Sequence, residues 1–542
     1  MTLDLTQDRW TLVNAVREQA RIRGSSPFLA FDDGSDLTYA ELDEASDRVA
    51  SALAGLGVGE GDRVLALLTN SRAFMVLMVA THKRRAVFVP VNTELKGAFL
   101  EHQVRNSAPR VVAVDAELLV HFDQVDTGGV PIEATIVVGG SGQALPKALA
   151  SAAVNLEYAT VEATPSKPEH SETPEPKDVC TIMYTSGTTG PSKGVLMPHA
   201  HCYLFAEGAA MAMSLTEDDR YFVCMPMFHA NGLFMQVWPT LLAGCSAYVA
   251  KRFSVSSWLD DVIAQQATVT NALGVMPEFI FRSPPTTRDR SHQLRRIMAI
   301  PVAEEWAVAM GERFGFEIVQ GFGMTEINMV AFSDPSEPVE AGCAGYVLDE
   351  HFEVIIGDPE TDVELAVGEV GEIMVRPRSP FCFNVGYFQM DDKTVEAWRN
   401  LWFHTGDAGR FDTKGRLHFV DRIKDRIRRR GENISSYEVE QALNEHPSVV
   451  ESAAVGLRVE GAGGEEEVKA VLAIEGDAPD PVAFLDWCTE RMPRYTVPRY
   501  LEFVADLEKT ASGKIRKQVL REAGVTPATW DRESVSYVVK RT

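Results

Sequence analysis

Apolar positions recur at two periods along the first 115 residues, and the alternation of those periods predicts a parallel, doubly wound sheet. Leu42, Ala45, Val49, Ala52, Leu53 and Leu56 follow one another at helical spacing. Before them, Thr38-Tyr39-Ala40-Glu41 has the form of a capping box, a hydroxyl at the N-cap and a carboxylate three residues on. Gly57 and Gly59 close that helix. Short apolar runs at 64–68, 87–89 and 111–114 read as buried strands, with helical segments between them. Residues 73–80 are apolar and end at His82, Lys83, Arg84 and Arg85, which predicts a buried helix with an exposed end. Strand, helix and strand in this order give βαβ units.

The pattern breaks at 160–178, where Pro165, Pro168, Pro174 and Pro176 are mixed with Glu, Thr, Ser and Lys. That composition predicts a solvated, semi-rigid spacer. A strand-like run follows at 179–184, and the α/β rhythm resumes over 220–420. A second break comes at 421–430, DRIKDRIRRR, with basic residues Arg422, Lys424, Arg426, Arg428, Arg429 and Arg430. The expected organisation is a large N-terminal domain at 1–420, a hinge at 421–424, and a small mobile α+β C-terminal domain at 425–542. The expected fold class is α/β, with stacked mixed and parallel sheets and helices in the large domain.

Composition narrows the function classes. The 542-residue chain has 45% hydrophobic and 24% charged residues, which excludes a disordered, collagen-like or coiled-coil protein. Lys and Arg total 52 against 77 Asp and Glu, a formal charge of -25. Such a surface repels polyanions, so no nucleic-acid partner is expected, and small anions bind only where positive charge is concentrated. Seven cysteines, widely spaced and without a CxxC pair, fit reduced thiols and a cytoplasmic location. Residues 1–10 lack a signal-peptide pattern, and no apolar run nears the roughly 18 residues of a membrane span.

Five segments carry candidate chemistry. The first is YTSGTTGPSKG at 184–194, directly after a predicted buried strand. Its glycines permit close backbone approach, its hydroxyls and amides can donate to phosphate oxygens, and Lys193 adds a positive charge. It is not the GxxxxGK[ST] pattern. An ordinary Ser/Thr/Gly surface loop has the same composition. The second is Gln320-Gly321-Phe322-Gly323-Met324-Thr325-Glu326, at a strand's carboxyl end, where open α/β sheets bind ligands. Phe322 between two glycines can stack on a base, and Thr325 and Glu326 offer oxygens suited to magnesium. A tight turn in which Glu326 caps a helix is the alternative. The third is Trp402-Phe403-His404-Thr405-Gly406-Asp407, where an acid after a strand can accept the hydroxyls of a ribose; a surface turn reads equally well. The fourth is the basic boundary, ending Arg430-Gly431-Glu432. The fifth is Lys509-Thr510-Ala511-Ser512-Gly513-Lys514, a lysine after a flexible turn, which by itself is most simply an exposed side chain.

The order of these segments, YTSGTTGPSKG, QGFGMTE, WFHTGD, DRIKD with RRRGENIS, and TASGKIRK, resembles the adenylate-forming superfamily of acyl-CoA synthetases, peptide-synthetase adenylation domains and beetle luciferases. PMFHANG at 226–232, NLWFHTGD and RRRGENISSYEVE look most like acyl-CoA ligases of the crotonobetaine/carnitine-CoA ligase type. The resemblance implies adenylation of a carboxylic acid by ATP, then transfer of the acyl group to coenzyme A with release of AMP. It implies that Thr185, Ser186, Gly187, Thr188, Thr189, Gly190 and Lys193 hold phosphates. Gln320, Gly321, Phe322, Gly323, Met324 and Thr325 would border the nucleotide, with Phe322 on adenine and Asp407 and Arg422 on ribose. Thr188 and Glu326 would hold Mg²⁺. Lys514 would bridge carboxylate and α-phosphate, Lys424 would be the hinge, and Arg430, Gly431 and Glu432 would meet coenzyme A. His229, Gly232, Gly274 and Ile300 would line the acyl pocket, with His229 gating it, although a core or capping role for His229 is equally open.

Some positions depart from the family pattern. Ile300 in Ala299-Ile300-Pro301 adds bulk at the acyl wall, and Glu508 replaces a usual proline. Met211, Met213, Phe228, Met235 and Met276 are further pocket candidates, because thioethers adapt to varied shapes. Two other functions stay open: an adenylating enzyme that loads a carrier protein, and a nucleotide-binding protein that has lost catalysis. The acid, the oligomeric state and the role of Arg84 and Arg85 are not legible.

Overall fold

The computed structural model describes the chain except residues 1, 2, 4, 141, 143, 151, 186–191, 274–275, 301–303, 423–426, 430–431, 435, 459–465, 493–495, 511–513, 536, 538 and 540–542. It divides into two compact units. The first is Met1–Thr185, Pro191–Val354 and Val375–Phe403; the second is Ser186–Gly190, Ile355–Met374 and His404–Thr542.

The strands of the first unit, in chain order, are β1 (Pro27–Phe31), β2 (Leu37–Thr38), β3 (Arg63–Leu67), β4 (Val87–Pro90), β5 (Val111–Asp115), β6 (Ala134–Val138), β7 (Val154–Glu157), β8 (Val179–Thr185), β9 (Lys193–Pro198), β10 (Arg220–Val223), β11 (Ser246–Val249), β12 (Val269–Leu273), β13 (Arg296–Ile300), β14 (Glu317–Val319), β15 (Gly321–Met324), β16 (Asn328–Phe332) and β17 (Cys343–Val347). One seven-stranded sheet runs β7-β6-β5-β3-β4-β8-β9 and a second runs β14-β13-β12-β10-β11-β1-β2. Pairing in the first is parallel apart from β9, and in the second apart from β2. The Val-rich runs are buried on both faces, as parallel strands covered by helices must be. A mixed α/β architecture is therefore present as expected.

The helices follow local rules. In α1 (Leu12–Arg23) Thr11 is the N-cap. At α2 (Tyr39–Gly55) the capping box forms: Glu41 N donates to Thr38 Oγ1 at 3.2 Å and Thr38 N to Glu41 Oε2 at 2.8 Å. α3 (Arg72–Lys83) is buried from Ala73 to its end. That burial extends to Lys83, whose ammonium is fully enclosed but lies 2.6 Å from both Asp43 and Asp47. A buried cation is tolerable only with such partners.

One expectation about this region is corrected: Arg84 and Arg85 are not an exposed helix end. The segment 160–178 is largely solvent-exposed, as expected of a spacer, and side chains of the helices tie it down. Arg84 Nη1 donates to His170 O at 3.2 Å and pairs with Glu172 at 2.8 Å; Arg85 pairs with Asp178 at 3.1 Å and Glu60 at 2.9 Å. Arg17 Nη2 reaches Ser171 O at 2.8 Å, and Ser171 Oγ donates to Asp47 at 2.6 Å. The prolines remove backbone donors there, so side chains of α1–α3 pin the strap instead.

In the second unit, β18 (Phe403–Phe411) pairs antiparallel with β19 (Leu417–Arg422). Then come α5 (Ser436–Asn444), β20 (Val449–Arg458), β21 (Glu466–Ile474), β22 (Tyr500–Val504), α6 (Lys517–Ala523) and β23 (Trp530–Asp531). β20-β21-β22-β23 form a four-stranded sheet in which β21 and β22 are parallel. Val439, Leu443, Val468, Leu472, Phe484 and Leu501 build its core. All seven cysteines are buried thiols. Among the described residues, no helix is long and apolar enough to cross a membrane.

Candidate functional site

In the first unit the phosphate-loop segment joins β8 to β9, whose antiparallel register sets Thr185 opposite Lys193. Ser186, Gly187, Thr188, Thr189 and Gly190 lie outside the described residues. Beyond the loop, residues 385–388 run alongside β9: Leu196 N donates to Gly386 O at 3.0 Å, Val385 N to Leu196 O at 3.1 Å, and Phe388 N to Gly194 O at 2.8 Å. This pairing fixes Tyr387, which is 4% exposed. Lys193 Nζ stands 4.1 Å above the Tyr387 ring, a cation–π distance. The hydroxyl of the same ring donates to Glu326 Oε1 at 3.1 Å. Burial and the adjacent Glu326 carboxylate push the Tyr387 phenol up, so it stays protonated and a donor.

Glu326 itself is 4% exposed and lies in the turn between β15 and β16. It caps no helix; Gln320-to-Glu326 is a β-hairpin entry because Phe322 and Met324 pair with Ala331 and Asn328. The turn is tied from three sides. Asn384 Nδ2 donates to Glu326 O at 2.8 Å, His201 Nε2 to Thr325 O at 3.0 Å, and Asn328 Nδ2 to Cys382 O at 2.7 Å. His201 lies on α4 (His199–Ala212), and burial pushes its imidazole down to about 4. It is therefore neutral at physiological pH, with its proton on Nε2. Gly323 is required by close approach: a Cβ there would stand 2.4 Å from Asn328 O. Phe322 is buried at 6% exposure, and Gln320 Nε2 donates to Glu340 O at 2.9 Å.

His229 and Gly232 belong to a tight segment after β10. His229 N donates to Pro226 O at 3.1 Å and the His229 ring lies 4.6 Å from Phe228. A Cβ at Gly232 would come within 2.3 Å of Pro226 O, so packing alone demands glycine there. Ile300 ends β13 and is half-buried against the core; Gly274 lies outside the described residues. Of the methionine candidates, Met211 is 46% exposed on α4, whereas Met213 and Met235 are buried core residues and Met276 packs against the core. Sequence reasoning missed a buried polar chain beside this segment: Tyr221 Oη donates to Asn271 Oδ1 at 2.5 Å, and Asn271 Nδ2 and Gln236 Nε2 donate to Asn231 Oδ1 at 3.3 and 2.8 Å.

In the second unit Asp407 lies within β18, not after a strand, because the antiparallel partner β19 keeps the backbone extended through it. The register places Asp407 opposite Arg422. Asp407 is 7% exposed, and its N–H donates to Thr405 Oγ1 at 3.1 Å. Glu372 braces the same strand just before Asp407, 2.8 Å from His404 Nδ1 and 3.0 Å from Gly406 N. Lys424, Arg430 and Gly431 lie outside the described residues, and Glu432 begins a short strand, Glu432–Ile434. Lys514 is exposed at the end of a narrow loop. Thr510 N donates to Lys514 O at 2.7 Å, Lys514 N to Thr510 Oγ1 at 3.2 Å, and Lys509 bridges to Ile515.

The structure thus brings Lys193 and Glu326 to one ring, and Asp407 and Arg422 to one register. Tyr387, Asn384 and His201 carried no sequence signal of their own, since each meets the Thr325–Glu326 turn or Lys193 only through the tertiary fold.

Comparison with known proteins adds to this geometry. The family model described as AMP-binding enzyme matches residues 16–384, and that of the AMP-binding enzyme C-terminal domain matches residues 438–514. A crotonobetaine/carnitine–CoA ligase of Salmonella paratyphi A is 28% identical over 515 residues, 93% of this chain and 97% of the relative. The ATP-bound structure of MatB from Rhodopseudomonas palustris superposes with a TM-score of 0.81 at 27% identity, covering 94% of this chain and 98% of that one. The anthranilate CoA ligase AuaEII in complex with anthranoyl-AMP gives 0.83 at 25% identity, covering 96% and 98%.

Proposed function

The chain belongs to the AMP-binding enzyme family, and from that premise we propose that it is an ATP-dependent, AMP-forming acid–coenzyme A ligase. A carboxylate oxygen attacks the α-phosphorus of ATP, giving acyl-AMP and pyrophosphate. The sulfur of coenzyme A then attacks the acyl carbon, the thioester forms, and AMP leaves.

The observation that carries this reading is the buried Glu326 carboxylate, held by the hydroxyl of Tyr387, whose ring face also carries Lys193. A fixed carboxylate and a lysine at the root of a glycine-rich loop suit a metal-bound polyphosphate. The hard-oxygen chemistry of the Glu326 carboxylate, with Thr188, fits Mg²⁺, which supplies charge neutralisation on phosphate oxygens when bound. Lys193 adds charge beside the loop. Asp407 and Arg422 take the ribose, Phe322 the adenine, and His229, Gly232, Gly274 and Ile300 border the acyl group. Lys514 offsets the charge that builds up between carboxylate and α-phosphate. Arg430, Gly431 and Glu432 receive coenzyme A, whose phosphates suit the neighbouring arginines. A hinge at 421–424, pivoting at Lys424, would let Lys514 leave before the thiol enters. Buried thiols are in keeping with a reducing compartment such as the cytoplasm.

The test is AMP release against a panel of acids (carnitine, crotonobetaine, anthranilate, benzoate, butyrate and acetate), with and without coenzyme A. AMP release that needs both the acid and coenzyme A is expected. Acid-dependent turnover that never requires coenzyme A overturns the ligase reading.

A further inference from the structure

The Lys514 loop leads directly into α6, and the first residue of that helix, Lys517, joins a connected set of polar contacts within the second unit. Lys517 Nζ lies 2.7 Å from Glu440 Oε1 and donates to Ser436 Oγ at 2.6 Å. Both partners are on α5. Ser436 passes the connection on: its Oγ donates to Asp421 Oδ2 at 2.9 Å, and its N–H donates to the same oxygen at 2.6 Å. Asp421 is the β19 residue that precedes Arg422. Glu440 Oε1 also accepts the Ala454 amide of β20 at 2.6 Å. A single chain of charge-assisted bonds therefore links α6, α5, β19 and β20. Its members are enclosed: Asp421 is 4% exposed, Ser436 is fully buried, and the side chains of Lys517 and Glu440 are 16% and 13% exposed.

We propose that Lys517 is the positioning residue for Lys514, fixing the root of its loop to the strand that carries Arg422 through Ser436, Glu440 and Asp421. This rests on the role assigned to Lys514 in adenylation. The loop's far side has a second tie, Lys509 to Glu451 of β20 at 2.7 Å. The Lys509 side chain is 39% exposed, however, and a half-exposed pair fixes less than an enclosed one. The enclosed Lys517 contacts are short and multidentate, so they determine where the loop starts. Burial pushes the Glu440 carboxyl up to about 7, with Asp421 acting in the same direction and Lys517 and the Ala454 amide against it. Removing the Lys517 ammonium would leave Asp421 and Glu440 as facing acids.

The experiment compares Lys517→Met, Lys517→Arg and Ser436→Ala with wild type and with Lys514→Ala, in the full chain. Two half-reactions are read with the panel acid that releases AMP fastest: ATP–pyrophosphate exchange, and thioester formation from that acid's synthetic acyl-AMP and coenzyme A. Lys517→Met is expected to lower exchange by about 10- to 100-fold, the scale of an ångström-level misplacement of a reacting group. Thioester formation should change by less than about threefold, since Lys514 has left by then. Lys517→Arg, which keeps charge and reach, should restore most of the exchange, and Ser436→Ala should fall between. Equal loss of both half-reactions in Lys517→Met, or no recovery in Lys517→Arg, overturns the proposal.

If Lys514→Ala itself fails to separate the half-reactions, the function reading falls, and amide hydrogen exchange decides the positioning claim. Lys517→Met should then speed exchange at the Thr510 and Lys514 amides, which close the loop, while β20 and β21 stay protected. Unchanged protection at those two amides contradicts it.

Discussion

The Tyr387 hydroxyl donates to Glu326 Oε1 at 3.1 Å, while Lys193 Nζ sits 4.1 Å from the centre of the same ring. Residues far apart in sequence are thus held to one phenol. The ring fixes the carboxylate by a hydrogen bond and the lysine by its π face, and the two need no direct contact.

Replacing Tyr387 by Phe separates these roles. The π face remains and the hydroxyl is lost, leaving a buried carboxylate oxygen short of a donor. Such a loss costs about 1–3 kcal/mol. Exchange of pyrophosphate into ATP should fall, and the magnesium concentration for half-maximal exchange should shift. An unaltered magnesium dependence would mean that Tyr387 supports only packing.

Glu326→Gln keeps the shape of the turn and the Asn384 contacts to its carbonyl. It removes one negative charge from a hard-oxygen site. The fold should persist by circular dichroism, while magnesium-dependent exchange falls by at least about 100-fold, the lower end for loss of one preorganised electrostatic contact. Equal activity at every magnesium concentration would remove Glu326 from the metal site.

The strap at 160–178 gives a stability prediction remote from the chemistry. Arg84→Ala removes the ion pair to Glu172 and the bonds to His170 O and Val58 O. About 1.5–3 kcal/mol of stability should be lost, the scale of a hydrogen bond to a charged group. Cleavage within 160–178 by a protease should accelerate, and exchange kinetics per folded molecule should not change. A proteolysis rate equal to wild type would show that the other ties, from Arg17 and Arg85, suffice.

His201 sets a pH dependence. Burial lowers its imidazole from the ordinary 6.5 to about 4. The folded chain binds this proton less readily than the unfolded chain. Its stabilising contribution is therefore complete above about pH 6.5 and is lost as pH falls through about 4, on the order of 3 kcal/mol in all. His201→Gln keeps a donor for Thr325 O and removes the titration. Thermal melting from pH 7 to pH 4.5 should show wild type losing more stability than the variant. Parallel losses would mean that folding does not lower the His201 imidazole.

Much of the fold was legible because its signals are local. The capping box at Thr38 and Glu41, the buried helix after Ser71, and the strands around Val64, Val87 and Val111 each follow from a few consecutive side chains. The site was legible as motifs, but its supports were not. Tyr387, Asn384 and His201 meet the Thr325–Glu326 turn through the fold, and no spacing announces them. Charge was misread for the same reason: Arg84 and Arg85 look solvated until the acids at Glu172 and Asp178 fold back onto them. Asp407 looked like a turn residue because Gly406 precedes it, yet cross-strand pairing with β19 carries the strand through.

One acid, one ATP and one coenzyme A react in a fixed ratio to give thioester, AMP and pyrophosphate. The most direct measurement is mass-spectrometric quantification of thioester, AMP and pyrophosphate in one reaction containing the best panel acid, ATP and coenzyme A. Equal amounts of all three are expected, with no thioester when ATP is omitted. AMP and pyrophosphate produced without any coenzyme A thioester would contradict it.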